Sequence, residues 1–257
     1  FEYFVIKTDT TFFSENFIHK LFGIAVLFIL LGIAHYKPSN IGFKKRNWLK
    51  YLIFGLLFGG ICFAVAYLIE YIVLCMGAQD PNFELYVNGF SLIGNEIKHT
   101  ELFFFILCIM LNVINVVMEE GLFRGFFYKI LRHKNNFWKS ILIVALLFGL
   151  WHFVMPFQLL INEEINLMYF IMMTLGYIVL SGIMSLKWSL LYEMTGSLFI
   201  GIGDHLFNNV IATNLLHLVT NTGADKLQII RILIAQSISF IIVLLLYYNK
   251  RCKKCKT

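Results

Sequence analysis

Charge is scarce in this chain. Only 14% of its 257 residues are Asp, Glu, Lys or Arg, while 59% are hydrophobic and mean hydropathy is +0.77. Soluble domains carry about 25% charged residues, so an ordinary soluble domain is excluded and a polytopic membrane protein of one domain, 1–257, is expected. The net charge of +6 lies in short loops between apolar spans. That distribution argues against nucleic-acid binding and reads as a membrane-orientation signal. Paired cysteines are lacking as well. Cys62, Cys75 and Cys108 lie within or at the end of apolar spans, and Cys252 and Cys255 form a lone CxxC in a lysine-rich tail. Without a second pair or a βαβ context, neither a disulfide framework nor a zinc or redox motif is supported. The tail reads as basic with two thiols open to palmitoylation. There is no HExxH, no internal repeat and no low-complexity linker. The chain begins on Phe1 rather than Met, which leaves a signal peptide or a further span upstream open.

What is there is apolar helix. Seven spans are expected, at about 17–34, 51–75, 101–131, 137–156, 167–186, 189–215 and 229–248, judged against about 30 Å of hydrocarbon. The fold class is therefore all-α, a membrane helical bundle. Residues 1–16, with Lys7, Asp9 and Glu15, read as an interfacial segment. Loops at 37–50, 129–139 and 250–257 are basic, and those at 77–100 and 157–166 are acidic. Basic loops stay in the cytoplasm, which puts Phe1 outside and the C-terminal tail inside. Gly55, Gly59 and Gly60 form a small-residue face suited to close helix contact. Glu70 reads as an interfacial carboxylate, and Lys187-Trp188 as the end of the fifth span.

Two adjacent carboxylates interrupt the third span, Glu119 and Glu120. An ionisable group inside a membrane span costs at least about 2.5 kcal/mol and usually faces a bundle interior or a wet cavity. Glu120 and Arg124 are four apart and can pair on one face. Glu119 is rotated about 100° away. Asn112 and Asn115 continue its polar seam. His152 follows Phe148 by four, and Asn209 follows His205 by four. Asn208 points away from Asn209 and is the weaker candidate. Counted from the basic ends of their spans, Glu119, His152 and His205 lie roughly 15, 20 and 24 Å deep. Three ionisable groups at comparable depth are expected to share one cavity. A carboxylate and an imidazole can take a proton from a shared water. A second imidazole and an amide can donate to an oxyanion. That set suits amide hydrolysis, and no Ser or Cys nucleophile with a paired base is evident.

The order Glu-Glu-x-x-x-Arg, Phe-x-x-x-His and His-x-x-x-Asn, carried by Glu119, Glu120, Arg124, Phe148, His152, His205 and Asn209, resembles the CPBP (Abi, or CAAX protease and bacteriocin-processing) intramembrane endopeptidases. Gly125 and the Thr195-Gly196-Ser197-Leu198 lead into His205 also look like that pattern, and the likeness covers roughly residues 100–215. It implies an intramembrane endopeptidase in which Glu119 and His152 activate water and His205 with Asn209 forms the oxyanion hole. Glu120, Arg124 and Phe148 would be supporting residues. Asp204, unusual beside that motif, is read from its position next to His205 as orienting that imidazole. The implied partners are the bilayer and a membrane-anchored or amphipathic peptide near the cytosolic leaflet; the oligomeric state is left open. A metal-free mechanism is expected. Zinc, if held, would take Glu119, His152 and His205. The competing reading is a non-catalytic membrane protein for bacteriocin self-immunity or partner binding. A transporter is a third reading, weakened by the lack of repeats and broken-helix signals. Frequent Ile, Phe, Asn and Lys suit an AT-rich bacterium, which places the chain in a bacterial plasma membrane.

Overall fold

The computed structural model describes residues 1–8, 11, 13, 17–88 and 98–254. Asp9, Glu15, Glu96 and Cys255 fall outside the described residues.

The chain is almost entirely helical, in the order α1 (Ile18–Ile33), α2 (Trp48–Met76), α3 (Leu102–Glu119), α4 (Tyr128–Lys134), α5 (Phe137–Trp151), α6 (Val154–Ile161), α7 (Leu167–Thr195), α8 (Phe199–Leu206) and α9 (Gln228–Lys254). Wide π-helical turns at Glu120–Phe127 and Phe207–Leu215 continue α3 into α4 and extend α8. Among the described residues, five helical stretches are long and apolar enough to cross a bilayer, and α1 is a shorter apolar helix. The chain is an integral membrane protein. Its outward positions, such as Ile53, Leu57, Ile61, Leu142 and Leu146, are exposed apolar side chains, as lipid contact requires.

Side-chain chemistry sets the boundaries. Asn136 and Asn166 accept hydrogen bonds from the backbone N–H groups of Lys139 and Tyr169, starting α5 and α7 as N-caps. Helix α7 ends on Gly196 at φ 65°, a left-handed conformation that glycine adopts without strain. The fifth span therefore does not stop at Leu186. Lys187-Trp188 is mid-helix and fully buried, because the ammonium is neutralised by Asp204 and bonded to Gln236 Oε1 at 2.6 Å. The crossing expected at 189–215 is instead the last turns of α7, a reversal at Gly196, and α8 with its wide turn.

Helices α2 and α8 touch backbone to backbone. A Cβ on Gly55 would stand 2.1 Å from Ile200 O, and one on Gly203 would stand 2.2 Å from Leu52 O. The glycine face of α2 thus does meet a neighbouring helix. At one end of the bundle, Lys250 Nζ donates to Met194 O at 2.5 Å and Tyr128 OH donates to Glu193 Oε2 at 2.6 Å, which gathers the ends of α4, α7 and α9 with their basic residues. A small antiparallel sheet, β1 (Asn82–Leu85), β2 (Leu216–Thr220) and β3 (Gly223–Ala224), follows α2 and precedes α9. Its register pairs Phe83 with Leu218 and Val219 with Ala224. Under it, Arg231 bridges Glu70 (Nη1–Oε2 2.9 Å) and Asp225 (Nη2–Oδ1 3.0 Å). Glu70 is buried in this pair, not interfacial: the guanidinium compensates its charge inside the protein.

Candidate active site

Glu119 closes α3 and Glu120 opens the wide turn that follows. Such turns, bonded i to i+5, are rare and concentrate at functional sites. Both carboxylates are buried. Glu120 Oε1 lies 3.2 Å from Arg124 Nη1. The guanidinium itself is wholly enclosed, with Cζ 3.8 Å from the Phe148 ring centre and 4.8 Å from that of Trp188. The same Glu120 oxygen accepts a hydrogen bond from His205 Nδ1 at 3.1 Å. Its task is thus double: it compensates Arg124 and sets the plane of an imidazole.

Glu119 faces the other way and its two oxygens differ. Oε1 accepts from Lys20 Nζ at 2.7 Å and from Trp151 Nε1 at 3.1 Å. Oε2 stands 3.6 Å from His205 Nε2, too far for a direct hydrogen bond.

His152 caps the C-terminus of α5. Its Nδ1 donates to Phe148 O at 2.8 Å, the carbonyl four residues back, and Phe148 meets the ring edge-on at 4.9 Å. With Nδ1–H committed, Nε2 is the acceptor nitrogen. His205 is stacked on Trp188, centroids 4.0 Å apart. Asn208 Nδ2 donates to Asn209 Oδ1 at 2.8 Å. That bond occupies the amide oxygen of Asn209 and leaves its NH₂ as the free donor.

Glu119, His152, His205 and Asn209 all line one cavity of about 230 Å³, together with Lys20, Asn112, Asn115 and Asn208. Asn115 Oδ1 is buried in that wall and meets no donor among the described residues. Helices α1, α3, α5 and α8 each supply an ionisable group to the cavity.

His205 is not sixteen residues into a helix beginning at Ser189, since that helix breaks at Gly196. Counted from Ser197 it lies about 12 Å in. Asp204 does not bond to His205; it accepts from Trp188 Nε1 at 2.6 Å and pairs with Lys187, and so acts on the imidazole through the indole. Asn208 is no bystander, since it fixes Asn209. A buried polar line runs on behind it, from Gln236 Nε2 to Asn208 Oδ1 at 3.0 Å and from Lys187 Nζ to Gln236 Oε1. The sequence pattern gives no site role to Lys20, Trp151, Lys187, Trp188 or Gln236. For Lys20 a signal existed, a lone cation in an apolar helix, of the same kind that singled out the glutamates.

A metal site built from Glu119, His152 and His205 does not fit. Among the described residues no three His, Cys, Asp or Glu side chains are arranged to hold a metal ion. The cation standing on Glu119 is an ammonium.

Comparison with curated proteins and with solved structures gave no match. A family model, type II CAAX prenyl endopeptidase Rce1-like, matches residues 101–211. That segment holds both glutamates, Arg124, Phe148, His152, His205 and Asn209. Over that segment the chain is similar to the Rce1-like type II CAAX prenyl endopeptidases, which supports the CPBP, or CAAX protease, family.

Proposed function

We propose that the protein is an intramembrane endopeptidase of glutamic type, and that the cavity shared by Glu119, His152, His205 and Asn209 is where the peptide bond is split. The observation that carries this is the freed amide NH₂ of Asn209 in the same cavity as an acceptor imidazole and a carboxylate with one uncommitted oxygen.

In the proposed reaction, Glu119 Oε2 takes one proton from a water while His152 Nε2 accepts the hydrogen bond of the other. The water oxygen bonds to the scissile carbonyl carbon, and the π pair moves onto the carbonyl oxygen. Asn209 Nδ2 faces that oxyanion, where a preorganised donor is worth about 10²–10³ in rate, and His205 Nε2 joins it as a donor in the imidazolium form, since Nδ1–H is given to Glu120. The tetrahedral adduct then reforms C=O and expels the amine. The amine takes the proton held by Glu119, so the carboxylate is regenerated.

A second, apolar cavity of about 300 Å³ lies between α7 and α9 and shares Tyr177, Leu180 and Ile232 with the first. It suits the lipid-bearing or amphipathic part of a membrane-anchored peptide, and a prenyl chain is the form that the family description suggests. The basic bundle end would face the cytoplasm. The experiment is replacement of Glu119 by Gln, followed by comparison of protein abundance and of cleaved membrane peptides in cells with and without the variant. Normal abundance with no cleavage supports the reading. Retained biological function in E119Q would instead favour a binding protein.

A further inference from the structure

We propose that Lys20, on helix α1, is a positioning residue of the peptidase site, fixing and charge-compensating Glu119 from outside the segment that matches the family. The inference rests on the reading of Glu119 as the base.

The charged and titratable groups around Glu119 are His19 and Lys20 from α1, Glu120 and Arg124 from its own chain segment, His152 from α5 and His205 from α8. Arg124 is paired with Glu120. Lys20 is therefore the cation that pairs with Glu119, at 2.7 Å, and both side chains are buried. A buried carboxylate with no partner takes up a proton instead of bearing charge, and a neutral acid cannot accept one from water. The geometry adds a division of labour. Lys20 and the Trp151 indole both bind Oε1, and the ammonium also lies 5.1 Å from the centre of the indole ring. Oε2 is thereby left for the reacting water.

The reach of Lys20 is set in two places. Helix α1 has no capping side chain at Phe17. Glu2 supplies the cap from the preceding segment: its carboxylate accepts from Ile18 N at 2.8 Å and His19 N at 2.6 Å, and Thr8 Oγ1 donates to it at 2.6 Å. One turn beyond Lys20, Gly23 lets α1 close on α3, since a Cβ there would stand 2.8 Å from Met118 Cγ.

The test uses the full chain in detergent micelles, with K20M, K20R and E119Q and the corresponding double variants. Thermal unfolding is one readout. The other is kcat and KM on two internally quenched peptides, one farnesylated and one amphipathic without lipid. K20M is expected to lower the melting temperature clearly, and to do so much less in the E119Q background, because non-additivity marks groups that act through each other. On the cleaved peptide, K20M should lose at least about tenfold in kcat with KM little changed, the pattern of a misplaced reacting group, and K20R should recover most of it. Equal melting losses in both backgrounds, an effect confined to KM, or K20R no better than K20M would each overturn the proposal. If the unaltered protein cleaves neither peptide, or E119Q cleaves as well as it does, the peptidase reading fails, while the melting cycle still decides whether Lys20 and Glu119 are coupled.

Discussion

The indole of Trp188 lies flat on the imidazole of His205, with ring centroids 4.0 Å apart and planes inclined by 17°. The indole is itself held by its Nε1–H bond to Asp204 at 2.6 Å, and Arg124 covers part of its face. His205 thus has its orientation set twice, by stacking and by Glu120 at Nδ1. Replacing Trp188 with Phe keeps a flat ring but removes the donor. Asp204 then keeps Lys187 and loses one bond. A buried acceptor left unmet costs about 1–3 kcal/mol, so W188F should melt lower yet still fold. A small tilt of His205 should cut kcat more than it raises KM, by up to about 10². The measurement is a steady-state comparison of W188F with W188L, which lacks the stacking plane too and should be the weaker enzyme.

Asn209 gives a sharper case. Its Oδ1 is held by Asn208, and Asn208 in turn by Gln236. Taking away the Asn208 amide lets the Asn209 side chain rotate, so that its oxygen can face the oxyanion. N208A should therefore lose about 10- to 100-fold in kcat with little change in KM, somewhat less than loss of the oxyanion donor itself, which costs about 10²–10³. N209A should show the full loss. Equal kcat in N208A and the unaltered protein would mean that the amide orientation is fixed by something other than Asn208.

Much of this was legible in the residues, and the reason is energetic. Ionisable groups in apolar helices are conspicuous because they are costly, so Glu119, Glu120, Arg124, His152 and His205 stand out. The i to i+4 spacing that paired Glu120 with Arg124 also survives the wide turn. What could not be read was tertiary compensation. Lys187 looked like a helix end because a lysine in a span normally marks one. Only the fold shows Asp204 and Gln236 closing around it. Glu70 was misjudged for the same reason, its partner Arg231 lying 161 positions away. The roles of the aromatics Trp151 and Trp188 depend on which carboxylate their N–H groups meet, which spacing along one helix does not reveal.

The cluster beneath the small sheet yields a prediction about pH. Burial alone would raise the carboxyl pKa of Asp225. The hydrogen bond to His217, the charges of Arg231 and His217 and the Leu218 N–H outweigh it and hold the group below its ordinary 3.8. Asp225 binds its proton more weakly in the folded chain than in the unfolded one. Its contribution to stability is therefore complete above the unfolded value near 3.8 and is lost as pH falls through the folded value. The melting temperature should be insensitive to this group at neutral and mildly acidic pH and should drop below about pH 4. In D225N the starting melting temperature should be lower and the acid-side drop shallower. An acid limb as steep in D225N as in the parent would assign that limb to other carboxylates.

The α2–α8 contact ties packing to chemistry, because Gly203 is two residues before His205. A Cβ at Gly203 would stand 2.2 Å from Leu52 O and 2.9 Å from Leu56 N, both backbone atoms that cannot swing aside. G203A must push α8 off α2 or be rejected, at a cost of about 1–3 kcal/mol or more. The displaced helix carries His205 away from Glu119 and Trp188. Gly32 in α1 is the control, since a Cβ there meets nothing within 4 Å and Ala favours helix over Gly by about 1 kcal/mol. G32A should therefore melt at or above the parent and cleave normally, while G203A melts lower and loses cleavage beyond what its folded fraction explains. If G203A kept full activity per folded molecule, the position of His205 would not depend on the close approach of these two helices.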